Sequence, residues 1–153
     1  MYTKKRGSNR PLRNLVELAK TIATAAHAGQ IDKAGVPYIE HPKYVAELVE
    51  SDNEKIVAYL HDVLEDTDIS KEYLSQRFPA YIIEALVALK LLDDEDYFDY
   101  IKRVKSNPLA SSVKRMDLLH NMQLKRLSKP TIKDFLRIAK YEKAYAQLEQ
   151  TNA

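Results

Sequence analysis

Apolar residues recur at helical spacing along most of the chain. Ile56, Val57, Leu60, Val63 and Leu64 follow the i, i+1, i+4, i+7, i+8 pattern of one helix face. Similar stripes predict further helices, and no segment shows the strict alternation typical of a strand. The predicted helices cover about 11–27, 42–49, 51–66, 73–78, 79–89, 97–104, 108–122 and 131–149. We therefore expect an all-α fold of about seven or eight helices.

Capping signals mark where several of these helices begin. Ser51 with Glu54 three residues later is a capping box, and Thr131 with Asp134 resembles one. The acidic run at 93–96 is predicted to cap the following helix, because negative charge is favourable at the positive end of the helix dipole. The polar signals therefore agree with the apolar stripes.

The composition favours one globular domain. The 153 residues are 45% hydrophobic and 30% charged, which suits a single core. We expect a flexible N-terminus over 1–9 and a single domain over 10–150. The formal net charge of +2 is too small to indicate nucleic-acid binding. No apolar run approaches the ~18 residues of a membrane span, and the absence of cysteine favours a reducing cytoplasm. The sequence leaves open whether the chain forms a homo-oligomer.

Four ionisable side chains fall within the six residues HDVLED at 61–66. If this segment is one helix, His61 lies one turn from Glu65, and Asp62 lies one turn from Asp66. Crowded carboxylates raise each other's pKa unless a cation lies among them, and a divalent metal is the simplest such cation. The alternative is an acidic helix end in which the His-Asp pair arose by chance.

Two other segments supply candidate ligands. His41 directly precedes a proline at the end of a loop, so its backbone is predicted to be extended. Asp117 lies one helical turn from both Lys114 and Asn121, on one helix face. Taken alone, His41 can be a helix cap, and Asp117 with Lys114 can be a simple ion pair.

Convergence of these segments would create a metal site with mixed ligands. The candidate set is two imidazoles and two carboxylates, from His41, His61, Asp62 and Asp117. Nitrogen and oxygen ligands of this kind suit Mn²⁺, Fe²⁺ or Zn²⁺. Four protein ligands on an octahedral ion leave room for water and a substrate oxygen.

Four sequence blocks carry a family resemblance. They are HAGQ at 27–30, GVPYIEHP at 35–42, LHDVLEDT at 60–67 and VKRMDLLHNM at 113–122. In this order the blocks resemble the HD phosphohydrolase superfamily, and within it the alarmone-hydrolase branch of the RelA/SpoT homologues. The resemblance runs from about Ala25 to Arg126, roughly two-thirds of the chain.

The resemblance implies an all-helical fold that holds one divalent metal, usually Mn²⁺. The matching metal ligands are His41, His61, Asp62 and Asp117. Glu65 and Asp66 match the acidic pair that activates the attacking water. Lys114 and Asn121 match positions near the ribose and phosphates of the substrate, and Lys33 is a further cation that can offset phosphate charge. The implied reaction removes the 3′-pyrophosphate from a guanosine tetra- or pentaphosphate.

Two departures from the family pattern keep other functions open. Asp32 stands where the family usually has a basic residue, and LKLL at 89–92 replaces its usual Thr-Lys or Thr-Arg turn. Because an acid repels a polyphosphate, a second hypothesis keeps the chemistry and changes the substrate, to that of a 5′-nucleotidase or another small phosphoester hydrolase. A third is a nucleotide-binding regulatory module without catalysis. The complete set of candidate ligands and acids disfavours that third hypothesis.

Overall fold

Helices form all the regular elements in residues 11–123 and 127–150, which the computed structural model describes. Within those residues the helices are α1 (Leu12–Ala26), α2 (Glu40–Leu48), α3 (Asp52–Leu60), α4 (Val63–Asp66), α5 (Lys71–Ser75), α6 (Ala80–Ala88), α7 (Tyr97–Lys105), α8 (Pro108–Asn121) and α9 (Ile132–Glu149). Among the described residues, strand-type pairing is limited to one isolated antiparallel β-bridge, between Ile31 and Pro37. The predicted all-α fold is therefore confirmed.

Helix α3 lies at the centre of the packing. It contacts α1, α2, α6 and α8, and its last five residues are buried. Four of them are fully inaccessible to solvent, and three of these four, Ile56, Val57 and Leu60, have large apolar side chains. Burial of each such side chain contributes about 1.5–3 kcal/mol, so the C-terminal end of α3 is strongly fixed in the core. His61, which directly follows this end, is therefore attached to a well-packed part of the core.

The capping signals form as the sequence predicts. The Ser51 and Glu54 side chains make a reciprocal capping box at α3, as do Thr131 and Asp134 at α9. Asp96, the last residue of the acidic run, accepts hydrogen bonds from two backbone amides at the start of α7. Each cap satisfies amides that a helix leaves without intrahelical partners. The helix starts are therefore set locally by the sequence.

The predicted single helix over 51–66 is wrong, because the chain breaks at His61-Asp62. Helix α3 ends at Leu60, Asp62 has φ −105° and ψ 0°, and the one-turn helix α4 follows. A ψ near zero interrupts the regular i→i−4 hydrogen bonding. The Asp62 carboxylate meanwhile accepts a hydrogen bond from the Tyr38 hydroxyl, a contact that lies outside this segment. Glu65 and Asp66 therefore belong to α4 and not to α3.

The predicted extended backbone at His41 is also wrong. Helix α2 begins at Glu40, so both His41 and Pro42 belong to its first turn. The His41 amide donates to the Tyr38 carbonyl oxygen at 2.9 Å. A proline costs little in a first turn, because the amide that it lacks would have no intrahelical partner there. His41 is consequently held by a helix rather than by a loop.

The core draws on every long helix. Buried side chains from α1, α2, α3, α6, α7, α8 and α9 belong to one hydrophobic cluster. The N-terminus over 1–9, predicted to be flexible, lies outside the described residues, and the single domain over 10–150 stays a prediction. Among the helices in the described ranges, none is both long enough and apolar enough to cross a membrane.

Candidate metal centre and adjoining cleft

Three predicted ligands from three separate parts of the chain converge. His41 lies in α2, His61 follows α3, and Asp117 lies in α8. One ligand atom from each residue lies within 4.8 Å of the other two. The Asp117 Oδ1 atom is 2.7 Å from His41 Nε2 and 3.3 Å from His61 Nε2. All three residues are buried, so these atoms form an enclosed group of two nitrogens and one oxygen.

The orientation of His61 tests whether this group fits a metal. Its Nδ1 atom lies 2.6 Å from the Ala58 carbonyl oxygen, so Nδ1 carries the proton and donates it to that oxygen. Its Nε2 atom is buried and makes no well-aligned hydrogen bond among the described residues, although oxygens of Asp62 and Asp117 lie within 3.3 Å of it. A buried nitrogen rarely lacks a partner, and metal-bound histidines usually donate their other ring N–H to a carbonyl or carboxylate. The residues present therefore fit a divalent metal.

Asp62 borders the group without completing it. Its Oδ2 atom lies 3.1 Å from His61 Nε2 and accepts a hydrogen bond from the Tyr38 hydroxyl. Burial by itself raises the pKa of the Asp62 carboxyl, but the positive charge of His61 outweighs burial and lowers the pKa to about 2. Asp62 is therefore an ionised oxygen donor beside the same histidine nitrogen.

Lys114 and Asn121 share a helix face with Asp117, as the spacing predicts, and both bond to its carboxylate. Lys114 Nζ lies 2.9 Å from Oδ2, and Asn121 Nδ2 donates to Oδ1 at 3.0 Å. Burial opposes ionisation of Asp117, yet Lys114 and His61 hold the pKa of its carboxyl well below the usual range. In the structure these two side chains thus support a candidate ligand.

His120 contacts the centre although the sequence analysis assigned it no role. The His41 and His120 rings are stacked, with centroids 5.0 Å apart and an interplanar angle of 9°, and their Nδ1 atoms are 2.7 Å apart. In the structure His41 Nε2 donates to Asp117 Oδ1, because a carboxylate only accepts hydrogen bonds; a metal ion bound at Nε2 would replace that proton and leave Nδ1 facing His120. The Tyr44 ring covers the other side of His120, with centroids 4.1 Å apart. His120 therefore orients His41 in the way that outer partners orient metal-binding histidines.

Glu65 and Asp66 lie close enough to Asp62 for its charge to act on both of their carboxyl groups. Both side chains are exposed and belong to α4. Partial burial raises the pKa of both carboxyl groups, and the negative charge of Asp62 raises it further. One Glu65 oxygen accepts a hydrogen bond from the Leu91 amide at 3.2 Å. A carboxylate with a raised pKa is a better proton acceptor, so either residue suits the role of general base.

A cleft of about 360 Å³ adjoins the centre. Its walls include Tyr38, His41 and Asn121 beside the centre, and Lys33, Arg137 and Tyr141 elsewhere. Lys33 is a predicted substrate contact, whereas no sequence pattern indicated Arg137 or Tyr141. Lys33 Nζ lies 3.8 Å from an Asp134 carboxylate oxygen, and Arg137 Nη1 lies 2.8 Å from the same oxygen. One carboxylate therefore holds two cations at the cleft.

Asp32 has a structural role that its sequence position does not reveal. Its Oδ1 atom accepts hydrogen bonds from the Ala34 amide at 2.8 Å and from the Val36 amide at 3.0 Å. Between them Gly35 has φ +83°, a conformation that glycine adopts without strain. The carboxylate thus organises a turn in the cleft wall. It also leaves a negative charge on that wall.

Comparisons with known proteins identify relatives named as pyrophosphohydrolases, and also a probable GTP pyrophosphokinase of Mycobacterium leprae, which is 30% identical over 130 residues, 76% of this chain and 16% of that protein. No family model matches the chain. A guanosine-3′,5′-bis(diphosphate) 3′-pyrophosphohydrolase of Haemophilus influenzae is 30% identical over 142 residues, which span 77% of this chain and 21% of that protein. One of the same name from Aquifex aeolicus is 34% identical over 120 residues, 71% of this chain and 17% of the relative. The chain thus spans only about a fifth of the length of these relatives.

A solved structure has the same fold. It is described as a metazoan orthologue of SpoT that hydrolyses ppGpp, and it superposes with a TM-score of 0.73 at 20% identity. The match covers 100% of this chain and 90% of that one. The helical fold and the histidine–aspartate centre together define an HD-domain protein. Within that superfamily the resemblance to the alarmone-hydrolase branch of the RelA/SpoT homologues, which the sequence blocks predicted, is confirmed by these relatives.

Proposed function

We propose that this chain is a metal-dependent 3′-pyrophosphohydrolase that acts on guanosine 3′,5′-bis(diphosphate). The observation that carries the proposal is the convergence, in one buried group, of the Nε2 atom of His61 with candidate ligand atoms of His41 and Asp117. The names of the relatives support the choice of reaction and substrate.

The proposed metal ligands are two imidazoles and two carboxylates, from His41, His61, Asp62 and Asp117. Mn²⁺ is our choice of ion, with Fe²⁺ and Zn²⁺ as alternatives that suit the same donors. A bound divalent ion would lower the pKa of a water molecule and offset charge on the phosphate that is attacked. The low pKa of the Asp62 carboxyl keeps that donor ionised at neutral pH.

Glu65 and Asp66 are the proposed proton acceptors. Hydrolysis adds the oxygen of water to the departing pyrophosphate and leaves a hydroxyl group on the 3′ carbon of the nucleotide. A proton must therefore leave the water, and a second proton must reach the 3′ oxygen. Glu65 is the stronger candidate for taking the first proton, because a backbone amide fixes one of its oxygens and leaves the other available.

The adjoining cleft is the proposed nucleotide site. A volume of about 360 Å³ lies within the range usual for small-molecule pockets. Lys33 and Arg137 supply positive charge for phosphate groups, and the Tyr141 ring supplies an apolar surface for a base. We retain Lys114 and Asn121 as residues near the substrate, because Asn121 lines the cleft and Lys114 holds Asp117 beside it.

The second candidate function is hydrolysis of a less highly charged nucleotide, such as a nucleoside monophosphate. The observation that favours it is the Asp32 carboxylate in the cleft wall, which opposes binding of a polyphosphate.

A substrate panel tests these functions. Purified protein with Mn²⁺ is offered guanosine tetraphosphate, deoxynucleoside monophosphates, cyclic nucleotides and an aryl phosphate, each with a chelator control. Chelator-sensitive release of pyrophosphate from the tetraphosphate is expected. Phosphate release from another panel member alone would favour the second function. Nucleotide binding without turnover of any member would indicate a regulatory module and overturn the proposal.

A further inference from the structure

The peptide group between Lys90 and Leu91 contacts two charged side chains from different helices. Its carbonyl oxygen accepts a hydrogen bond from Arg103 Nη2 at 2.8 Å. Its N–H donates to Glu65 Oε2 at 3.2 Å. One peptide plane therefore lies between a guanidinium group on α7 and the proposed proton acceptor on α4.

Arg103 is itself held in a defined orientation. Its Nε and Nη2 atoms donate to the two carboxylate oxygens of Glu95, at 3.0 and 2.8 Å. Its Nη1 atom donates to the Ala88 carbonyl oxygen at 3.2 Å, near the end of α6. A bidentate arginine–carboxylate pair has a fixed geometry that a lysine cannot reproduce. The guanidinium group therefore fastens the end of α6 and the linker after it to α7.

The linker at 89–96 depends on such contacts for its shape. The side chains of Lys90, Leu91 and Leu92 are exposed, so packing in the core does not fix them. The Tyr100 hydroxyl donates to the Leu89 carbonyl oxygen at 2.7 Å, which fixes the residue before the Lys90–Leu91 peptide. Arg103 secures the peptide itself. This is also the stretch in which the sequence departs from the usual Thr-Lys or Thr-Arg turn.

We propose that Arg103 is a positioning residue for Glu65, acting through the Lys90–Leu91 peptide. The inference rests on the proposed function, in which Glu65 takes the proton of the attacking water. The guanidinium group fixes the carbonyl oxygen, and the peptide plane then directs its N–H at one Glu65 oxygen. A hydrogen bond to a polarised peptide is stronger than one to an isolated amide, so the carboxylate keeps one orientation.

A double-mutant cycle tests this role. Arg103→Gln is expected to lower kcat about tenfold with KM nearly unchanged, because orientation of the base affects the chemical step. In the Glu65→Gln background the same change is expected to have little further effect, since the group that it positions is gone. An equal tenfold loss in both backgrounds, or an unchanged kcat, would overturn the proposal. Arg103→Lys is expected to rescue only part of kcat, because lysine keeps the positive charge but lacks the planar pair of N–H donors that binds both Glu95 oxygens.

Arg77→Gln is the matched control. Arg77 also donates to a backbone carbonyl, that of Tyr73, and lies over the Tyr73 ring. Neither contact involves the linker or Glu65, so this variant is expected to keep the wild-type kcat.

Hydrogen exchange of the Leu91 amide separates this inference from the proposed function. The amide is expected to exchange at least several-fold faster in Arg103→Gln and in Glu65→Ala, which removes the acceptor oxygen, than in wild type, and to stay protected in Arg77→Gln. Equal exchange in wild type and Arg103→Gln would refute the contact, even in an active enzyme. A wild type that hydrolyses nothing would refute the proposed function, while loss of protection in Arg103→Gln would still support the contact.

Discussion

The Nδ1 atom of His61 lies 2.6 Å from the carbonyl oxygen of Ala58, one turn earlier in the chain. This hydrogen bond decides which nitrogen of the ring faces the centre. The bond engages Nδ1, which leaves Nε2 directed towards Asp62 and Asp117. Ala58 is fully buried in α3, so the orientation of the ring depends on the core. The most stable part of the fold thus sets the geometry of the proposed metal ligand.

Glu65→Gln is expected to separate metal binding from turnover. Glutamine cannot accept the proton of the attacking water, so kcat should fall by about 10²–10⁴. Mn²⁺ affinity should stay near that of wild type, because Glu65 is outside the proposed ligand set. Asp62→Ala is the comparison variant and should lose metal and activity together. Steady-state kinetics and Mn²⁺ titration of both variants check the prediction, which fails if Glu65→Gln loses its metal.

Asp117→Asn is expected to destabilise the metal-free protein by about 3 kcal/mol, because it leaves the ammonium group of Lys114 without its buried partner. The double variant Lys114→Met/Asp117→Asn should recover much of that loss, since it removes the uncompensated charge as well. Urea unfolding in the presence of a chelator measures the free energy of unfolding of both variants and of wild type. Equal stability of wild type and Asp117→Asn would show that the pair is not buried as described.

Asp32→Asn is expected to improve binding of a polyphosphate. Asparagine keeps a side-chain oxygen for the Ala34 and Val36 amides and removes the negative charge from the cleft wall. Removal of about 1 kcal/mol of repulsion lowers KM for guanosine tetraphosphate about fivefold. Asp32→Ala also loses the acceptor of the turn, so its KM should be higher than that of Asp32→Asn. Identical KM values for wild type and both variants would exclude Asp32 from substrate discrimination.

Glu54 is expected to make folding stability depend on acid pH. Burial raises the pKa of its carboxyl, but hydrogen bonds from Ser112 and Ser51 lower it overall, below the ordinary value of 4.5. Its contribution is therefore complete above pH 4.5 and is lost as the pH falls through the lowered value. Urea unfolding at several pH values should show a stability difference between wild type and Glu54→Gln that shrinks as the pH falls from about 6 to 3. The exposed Glu84→Gln serves as control, and a difference that grows towards low pH would contradict the sign.

Local features of the fold were predictable from the sequence, because they depend on neighbouring residues. The Ser51–Glu54 cap is one example, since both partners lie within a single turn. The break at Asp62 was not predictable, because the hydroxyl group that binds its carboxylate comes from Tyr38, 24 residues away. Apolar spacing alone continues the helix through that point.

The candidate site was predictable where short sequence blocks carry it. His41, His61 and Asp117 lie in blocks whose order resembles one family, and the structure brings all three together. Arg137 was missed because α9 lies beyond the part of the chain that carries the resemblance. Arg103 was missed because its contacts are with backbone carbonyls, which no side-chain pattern reveals.

The proposed metal site is tested most directly by titrating the metal-free protein with Mn²⁺ and following the bound ion by electron paramagnetic resonance. We expect one tightly bound ion per chain in wild type, and we expect His61→Ala to lose it. A His120→Ala variant should still bind the ion, with about 10–100-fold weaker affinity, because it removes only the partner of His41. Unchanged stoichiometry and affinity in His61→Ala would contradict the claim that this histidine faces a metal.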